Sequence, residues 1–546
     1  ELGKTPKAFQ LEFFSNVMEG RDIILDVGTG SGKSTCCNLP VMPHKEDIVL
    51  IVSPLTALML EQAETLPLTS VAICQETLAA EGRDELYKRT AEGAVQWIFV
   101  SPEVAGSLEF SKKVLSQLHF QEHLRLVFID EAHCVSLWGG SFRSEYGELG
   151  VLRGRVPPSV TFAIASATLL RHVLDEVCAK LKIGKDAVTV TLSNARPNVA
   201  LSVRKIVHPD ETKADLRFLI PENATSPADI PITLVYFNQR IETEDACDRL
   251  QYWATSVGID TSAIGFYHAK IGTARKRELE TMLREGRIRI LCCTDAVGMG
   301  CDMHNVEHVI LWKLLPSFCA LTQRSGRAAR DFETLGEAIL FVPAKVLKDG
   351  IAEEQARLAC VEAAEPQNQE GETDQPPPAD PADVNQEQGL DVVGGQAVLI
   401  SEGSTWVEQG NEAENAETET PEAAAAKNGK KKRKAAHVSF ADTLEATFLS
   451  RFACTTACLR IIWDEYFQNT DEGTQPLLIY STFFADTPCI ASLDFVLPAG
   501  ARCCDICEPT RFPVELVEVE KISGLKGRKK RKFPPGLSDL IRTGLH

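Results

Sequence analysis

Residues 23–35 read IILDVGTGSGKST: an apolar, strand-like run empties into a glycine-rich turn and then into residues compatible with a helix. In that context the glycines form a phosphate cradle, because successive backbone N–H groups are free to point at phosphate oxygens. Lys33 then reaches the outer phosphates and the Ser34 hydroxyl ligates Mg2+. The general pattern asks for glycine five places before Gly32, and Val27 stands there. Gly28, Thr29, Gly30, Ser31, Gly32, Lys33, Ser34 and Thr35 make up the candidate nucleotide-binding loop. A second apolar run, LVFID, ends in DEAH at 130–133. Asp130 thereby emerges at a strand's C-terminal end, where a Mg2+-side carboxylate is required, and Glu131 is placed to polarise an attacking water. A glycine-rich turn or an acidic turn is common alone; two such turns, each after a strand, favour phosphate chemistry.

Outward from this loop, IILDV, DIVLIVS, VQWIFVS, LRLVFID and TFAIAS alternate with helical stretches from about 20 to 200, the βαβ pattern of a parallel sheet. A second series follows: ITLVYF (232–237), AIGFYH (263–268), IRILCCT (288–294), VEHVILW (306–312) and GEAILFVP. The fold class expected is therefore α/β, with two tandem parallel-sheet domains at 1–200 and 201–360.

Beyond them, 361–437 is rich in Glu, Gln, Pro, Ala and Asn with few aromatic residues, and reads as a disordered acidic insert with a basic end. Its first part, 361–426, holds sixteen Asp or Glu and no Lys or Arg, and six basic residues follow by 434. The net charge of −19 falls to −9 without that stretch, so overall acidity does not exclude a local basic groove for nucleic acid. Order is expected to resume at 438 with one amphipathic helix, FADTLEATFLSRFACTTACLRIIWDEYF, and a cysteine cluster. A basic tail occupies 511–546. No apolar run approaches the roughly 18 residues of a membrane span, so no membrane partner is expected. Seventeen scattered cysteines, many in apparent strands or helices, point to a reducing compartment.

The motif order is GSGKS, SPLTALMLEQ (53–62), DEAH, SAT (166–168), TDAVGMG (294–300) and QRSGRAARD (323–331). This series resembles the superfamily 2 helicases. The surroundings DEAHCVSLWGGSFRSEYGELGVLR, ARPN (195–198), AVGMGCDMHNV and SGRAARD look like the RecQ DNA helicases over about 1–350 and again over 438–507.

That resemblance implies two RecA-like domains followed by a small helical zinc-binding subdomain at 438–510. It implies that Gln10, with Lys7 in the same segment, meets adenine, that Gly298 joins the nucleotide site, and that Arg327 and Arg330 reach the γ-phosphate. Such arginines answer a physical need, since charge spreads over the transferred phosphoryl oxygens and a guanidinium from a second domain makes hydrolysis depend on closure. Residues 134–146 resemble the aromatic loop that couples DNA binding to hydrolysis, with Trp138, Phe142 and Arg143 as contacts suited to base stacking. A buried helical face carrying Trp138, Phe142 and Tyr146 is the plainer alternative, disfavoured by Gly139 and Gly140. Family departures at Leu137, Gly140 and Lys7 predict weaker coupling. Asn238, His268, Thr294 and Asp295, at strand ends within matching motifs, are candidate DNA or interdomain contacts or ordinary structural residues.

Cys458, Cys504 and Cys507 resemble the family's zinc ligands, with Cys503 or Cys489 as the fourth. Cys503 adjoins Cys504, and neighbouring side chains in extended chain point apart; Cys489 lies farther off on a loop able to fold back. Buried hydrophobic cysteines are the plainer reading. KKKRK (430–434) and GRKKRK (527–532) read as nuclear-import or nucleic-acid patches, or as solvated charge, and tip localisation towards the nucleus. The 39 residues after Cys507 are too few for the family's winged helix, and its further helical domain is also absent from the pattern.

The expected activity is DNA-stimulated ATP hydrolysis, with ATP, Mg2+ and Zn2+ as cofactors, driving 3′ to 5′ movement on single-stranded or partly duplex DNA. An RNA helicase of the same superfamily and a non-catalytic nucleic-acid platform are the alternatives, and the sequence identifies no protein partner for the acidic insert.

Overall fold

The structure, a computed structural model, describes residues 5–364, 440–469 and 500–513, apart from short interruptions at 29, 55, 67–68, 138–146, 298–302, 304 and 332–333. Most of the acidic insert and most of the basic tail lie outside the described residues. Among the described residues no helix is long and apolar enough to cross a membrane.

Seven strands form the first sheet: β1 (Ile23–Val27), β2 (Ile48–Val52), β3 (Ser70–Ile73), β4 (Trp97–Val100), β5 (Leu124–Ile129), β6 (Thr161–Ser166) and β7 (Val188–Leu192), in the order β3-β4-β2-β5-β6-β1-β7. All pairings are parallel. IVLIV of β2 is buried at every position, as expected of a central strand covered on both faces. One face packs on the helix Ala8–Met18 through Phe9, Phe13 and Val17. Because β5, β6 and β1 are adjacent, the phosphate loop, DEAH and SAT all leave the same edge of the sheet side by side.

The second sheet contains β8 (Val199–Ile206), β9 (Thr233–Tyr236), β10 (Ile264–Tyr267), β11 (Ile290–Cys293), β12 (His308–Trp312) and β13 (Gly336–Pro343), in the order β10-β11-β9-β12-β13-β8, again parallel. From β12 the chain enters the helix Phe318–Ser325, which carries the start of QRSGRAARD. Two parallel-sheet α/β layers of this kind are the expected fold class.

The C-terminal module departs from the expected single helix. Helices Phe440–Cys454 and Leu459–Phe467 are separated at 455–458. There the Thr455 hydroxyl accepts the Ala457 N–H, a local bond that competes with helix propagation. Phe452, Trp463, Tyr466 and Phe467 surround the Phe318 ring, so the module shares core with the second sheet's helix. The cysteine segment pairs with β8 through a single parallel bridge between Leu201 and Cys504.

Candidate nucleotide site and cysteine cluster

The loop after β1 owes its shape to its glycines. Gly32 has φ of 99°, and a Cβ there would stand 2.8 Å from Gln10 Nε2, so a side chain would meet both strain and crowding. Lys33 lies across the loop, donating to the carbonyls of Val27 (3.0 Å) and Gly28 (3.4 Å). Ser31 Oγ donates to the Gly28 carbonyl, and the Ser34 hydroxyl accepts from Gln62 of SPLTALMLEQ. Thr35, one turn into the helix Lys33–Asn38, donates its N–H to Gly32. Gly30, at φ of 81°, completes the turn; Thr29 lies outside the described residues.

Gln10 is buried and donates to the Gly32 carbonyl at 2.9 Å, while its own oxygen accepts the Lys7 N–H at 2.8 Å. Lys7 Nζ donates to the Ser31 carbonyl, and burial lowers its pKa. Both adenine-side candidates therefore touch the phosphate loop itself.

At the end of β5, Asp130 Oδ1 accepts the Glu131 N–H at 3.0 Å. Burial first, and the Glu131 carboxylate second, push the Asp130 pKa up, while Lys33 opposes them. A divalent cation shared with Ser34 would offset the same burial, so a hydroxyl and a carboxylate form a donor set that fits Mg2+. Glu131 adopts φ of 49°, a left-handed conformation that a non-glycine residue holds only when its surroundings demand it. Its carboxylate lies 3.4 Å from His133 Nδ1, which also meets Ser166 Oγ of SAT at 2.8 Å. Burial lowers the His133 pKa, so the ring is held neutral. Its Nε2 lies 3.2 Å from the Gln323 side chain on the 318–325 helix. DEAH, SAT and QRSGRAARD are thus joined by one polar chain.

Sequence reasoning passed over Gln323 and Arg324. Arg324 is buried and forms a two-pronged pair with Asp295 at 2.7 and 2.8 Å, with a third bond to Asn238. The signal was present, since TDAVGMG holds Asp295 at a strand end, but spacing does not reveal which arginine of a basic helix turns inward. Arg327 and Arg330 follow on the turn after that helix, half-buried. Arg196 of ARPN, also passed over, donates to the carbonyls of Gly326, Ala328 and Ala329 within that turn. Burial, reinforced by Arg330 nearby, pulls its pKa down to about 9.

Asn238 donates to the Leu314 carbonyl. His268 is buried with Nε2 bound to Glu244 and Nδ1 accepting the Lys270 N–H, so both ring nitrogens are engaged. Thr294 donates its N–H to Tyr267. The structure brings these three to the C-terminal edge of the second sheet with internal partners. Trp138, Phe142, Arg143 and Gly298 lie outside the described residues.

Sulfur atoms of Cys458, Cys503, Cys504 and Cys507 lie within 4.8 Å of one another. Individual separations are 3.5 Å for Cys458–Cys503, 3.8 Å for Cys504–Cys458 and 3.5 Å for Cys504–Cys507. A tetrahedron with Zn–S near 2.3 Å has edges of about 3.8 Å, so the group fits a zinc ion. The expectation that adjacent Cys503 and Cys504 diverge is corrected: the chain leaves its one bridge at Cys504 and turns at once, so strand alternation does not apply. Cys489 lies outside the described residues.

A parallel-sheet domain with a phosphate loop, followed by a second that carries arginines on a helix joined to DEAH, defines a nucleotide-dependent helicase core. Matches to known proteins agree. A DEAD/DEAH box helicase family profile matches residues 7–177 and a helicase conserved C-terminal domain matches 229–331. The ATP-dependent DNA helicase Q5 of Rattus norvegicus is 30% identical over 60% of this chain and 33% of its own length. The ATP-dependent DNA helicase RecQ of Pasteurella multocida is 27% identical over 61% of this chain and 49% of its own. The DUF1998 helicase MrfA, solved bound to DNA and AMPPNP, shares the fold with a TM-score of 0.52 at 20% identity, over 65% of this chain and 50% of that one. The chain belongs to the RecQ family of ATP-dependent DNA helicases, in superfamily 2. It spans about a third to a half of the length of these curated relatives.

Proposed function

We propose that the chain is an ATP-driven motor that moves 3′ to 5′ on single-stranded DNA, with hydrolysis stimulated by that DNA. The observation that carries the reading is the polar chain from Glu131 through His133 to Gln323, which ties the water-activating carboxylate to the helix preceding Arg327 and Arg330. Lys33 and the loop N–H groups would hold the phosphates, with Lys7, Gln10 and Gly298 towards the base. Ser34 and Asp130 would hold Mg2+, which supplies neutralising charge at the phosphate oxygens. Glu131 accepts a proton from the attacking water, and Arg327 and Arg330 stabilise charge on the transferred group when the domains close. Hydrolysis then reverses closure, and a strand gripped by both domains advances.

DNA is favoured over RNA by the family and by the aromatic loop with Trp138, Phe142 and Arg143; Asn238, His268 and Thr294 are further contact candidates. Zinc held by Cys458, Cys503, Cys504 and Cys507 would be structural, because four cysteines leave no open position for chemistry. The two basic runs support a nuclear location.

The test is ATP hydrolysis by the purified full chain alone, with single-stranded DNA, and with RNA, using Glu131→Gln as blank. Stimulation by DNA that is lost in the variant supports the motor. Stimulation by RNA alone assigns an RNA helicase, and binding without hydrolysis assigns a platform.

A further inference from the structure

The C-terminal module holds the 318–325 helix directly at its N-terminus and, through Arg196, beyond its C-terminus. At its N-terminus, buried Glu445 accepts the N–H groups of Phe318 (2.5 Å) and Cys319 (3.1 Å), beside the Ser317 cap that takes the Ala320 N–H. Beyond its C-terminus, the Arg196 fork meets three carbonyls: Gly326 at 2.9 Å, Ala328 at 2.9 Å and Ala329 at 2.6 Å. Ala329 is left-handed, with φ of 45°, and Asn198 also donates to its carbonyl, so this turn is specified rather than free. Arg196 is fixed in turn by the module: Arg460 donates to the carbonyls of Arg196 (3.2 Å) and Val199 (2.6 Å). Arg460 stands two residues into a helix capped by Cys458, one of the four clustered cysteines.

Negative charge at a helix N-terminus and positive charge at its carbonyl end both complement the backbone dipole, so the two grips hold the helix along its axis in a defined sense. Between them lie Gln323 and Arg324; Arg327 lies within the second grip and Arg330 directly follows it. An error of about 1 Å in reactive groups costs on the order of a hundredfold in rate. A two-turn helix with loose ends would readily make such an error.

We infer that Glu445 and Arg196, the latter locked by Arg460, are positioning residues that set the reach of Arg327 and Arg330 towards the phosphate site. The cysteine module thereby governs ATP turnover without touching nucleotide. This rests on the ATP-hydrolysing reading above, and it adds a control point that links the C-terminal module to the rate of the chemical step.

The experiment uses the full zinc-loaded chain with Arg196→Lys, Glu445→Gln and Arg330→Lys. Lysine keeps the charge of Arg196 but cannot span three carbonyls with a planar fork. Arg196→Lys is expected to lower kcat for ATP hydrolysis at least tenfold with KM for ATP within twofold. Combined with Arg330→Lys, it should cost little more than Arg330→Lys alone, because both act on one step. Independent, multiplying losses overturn the inference. Hydrogen exchange supplies an arm that needs no activity: amides of 318–329 should exchange at least tenfold faster in Arg196→Lys and Glu445→Gln, with β9 and β12 unchanged. Unchanged protection at 318–329, or a loss spread equally over both sheets, overturns the inference. A wild-type chain that fails to hydrolyse ATP defeats the functional reading instead, and exchange then decides the clamp by itself.

Discussion

His133 Nε2 lies 3.2 Å from the Gln323 side chain, across from the Nδ1 that meets Glu131 and Ser166. This contact bridges the two parallel-sheet domains at the residue adjoining the DEAH carboxylates. Gln323→Ala should therefore uncouple rather than disarm: nucleic-acid-stimulated hydrolysis falls about 10- to 100-fold, comparable to losing a positioned catalytic interaction. Unstimulated hydrolysis and nucleotide affinity should change little. Steady-state rates with and without DNA, alongside nucleotide titration, check this; equal loss in both rates would place Gln323 in the chemistry itself.

Glu131 and Lys33 separate binding from chemistry. Glu131→Gln keeps the strained backbone and the shape of the site but removes the proton acceptor, so kcat should drop on the order of 10²- to 10⁴-fold. Nucleotide affinity should survive, since the loop and Lys33 are untouched. Lys33→Ala should instead weaken nucleotide binding together with turnover, because its ammonium faces the loop carbonyls where phosphates would arrive. Calorimetric titration with a non-hydrolysable analogue distinguishes the two.

Central strands were legible, and of the edges only β10 was read, as AIGFYH, while β3, β7 and β8 were not. IVLIV and LVFID are continuous apolar runs because β2 and β5 are covered on both faces, whereas edge strand β7, VTVTL, is half-exposed and shows no such run. In the site, Lys33, Asp130 and Glu131 were readable because chemistry demands those residue types beside a strand end. Arg196, Gln323, Glu445 and Arg460 were not. Each acts through a backbone carbonyl, a backbone N–H or a side chain far away in sequence, and no spacing rule encodes which distant element a buried charge will meet.

Asp26 yields a pH prediction. It lies in β1 beside Ser166, and burial raises its pKa to about 7 against the opposing effects of the Leu169 N–H and Lys33. A carboxyl whose folded pKa is raised favours its neutral form, so its contribution to stability is complete below the ordinary carboxylate range and is lost as pH climbs through about 7. Asp26→Asn should match the wild type in melting temperature only below the ordinary carboxylate range, and should exceed it by a growing margin as pH rises to about 7, after which the difference levels off. The gain is on the order of 1–3 kcal/mol, roughly 2–4 °C per kcal/mol for a protein of this class. Nucleotide-free melting across that pH range checks it, and a constant difference between the two proteins would show that Asp26 is ionised throughout.

The cysteine cluster predicts about one tightly bound zinc per chain, consistent with closed four-sulfur coordination. Thiols must shed their protons to bind, so acidification should release the metal cooperatively, and a chelator should lower the melting temperature by several degrees. The effect reaches beyond the cluster: Cys503 accepts the Leu201 N–H, Asp505 donates to Leu201, and the Asp505 carboxylate takes the Val203 N–H, so metal loss also frees the β8 edge. Cys504→Ser and Cys507→Ser should remove zinc and expose β8 amides to exchange. Cys503→Ser should do the same, because its sulfur lies 3.5 Å from that of Cys458, while Cys489→Ser should leave metal content unchanged. Zinc lost in Cys489→Ser and retained in Cys503→Ser would move the fourth ligand to Cys489 and leave Cys503 as a buried thiol.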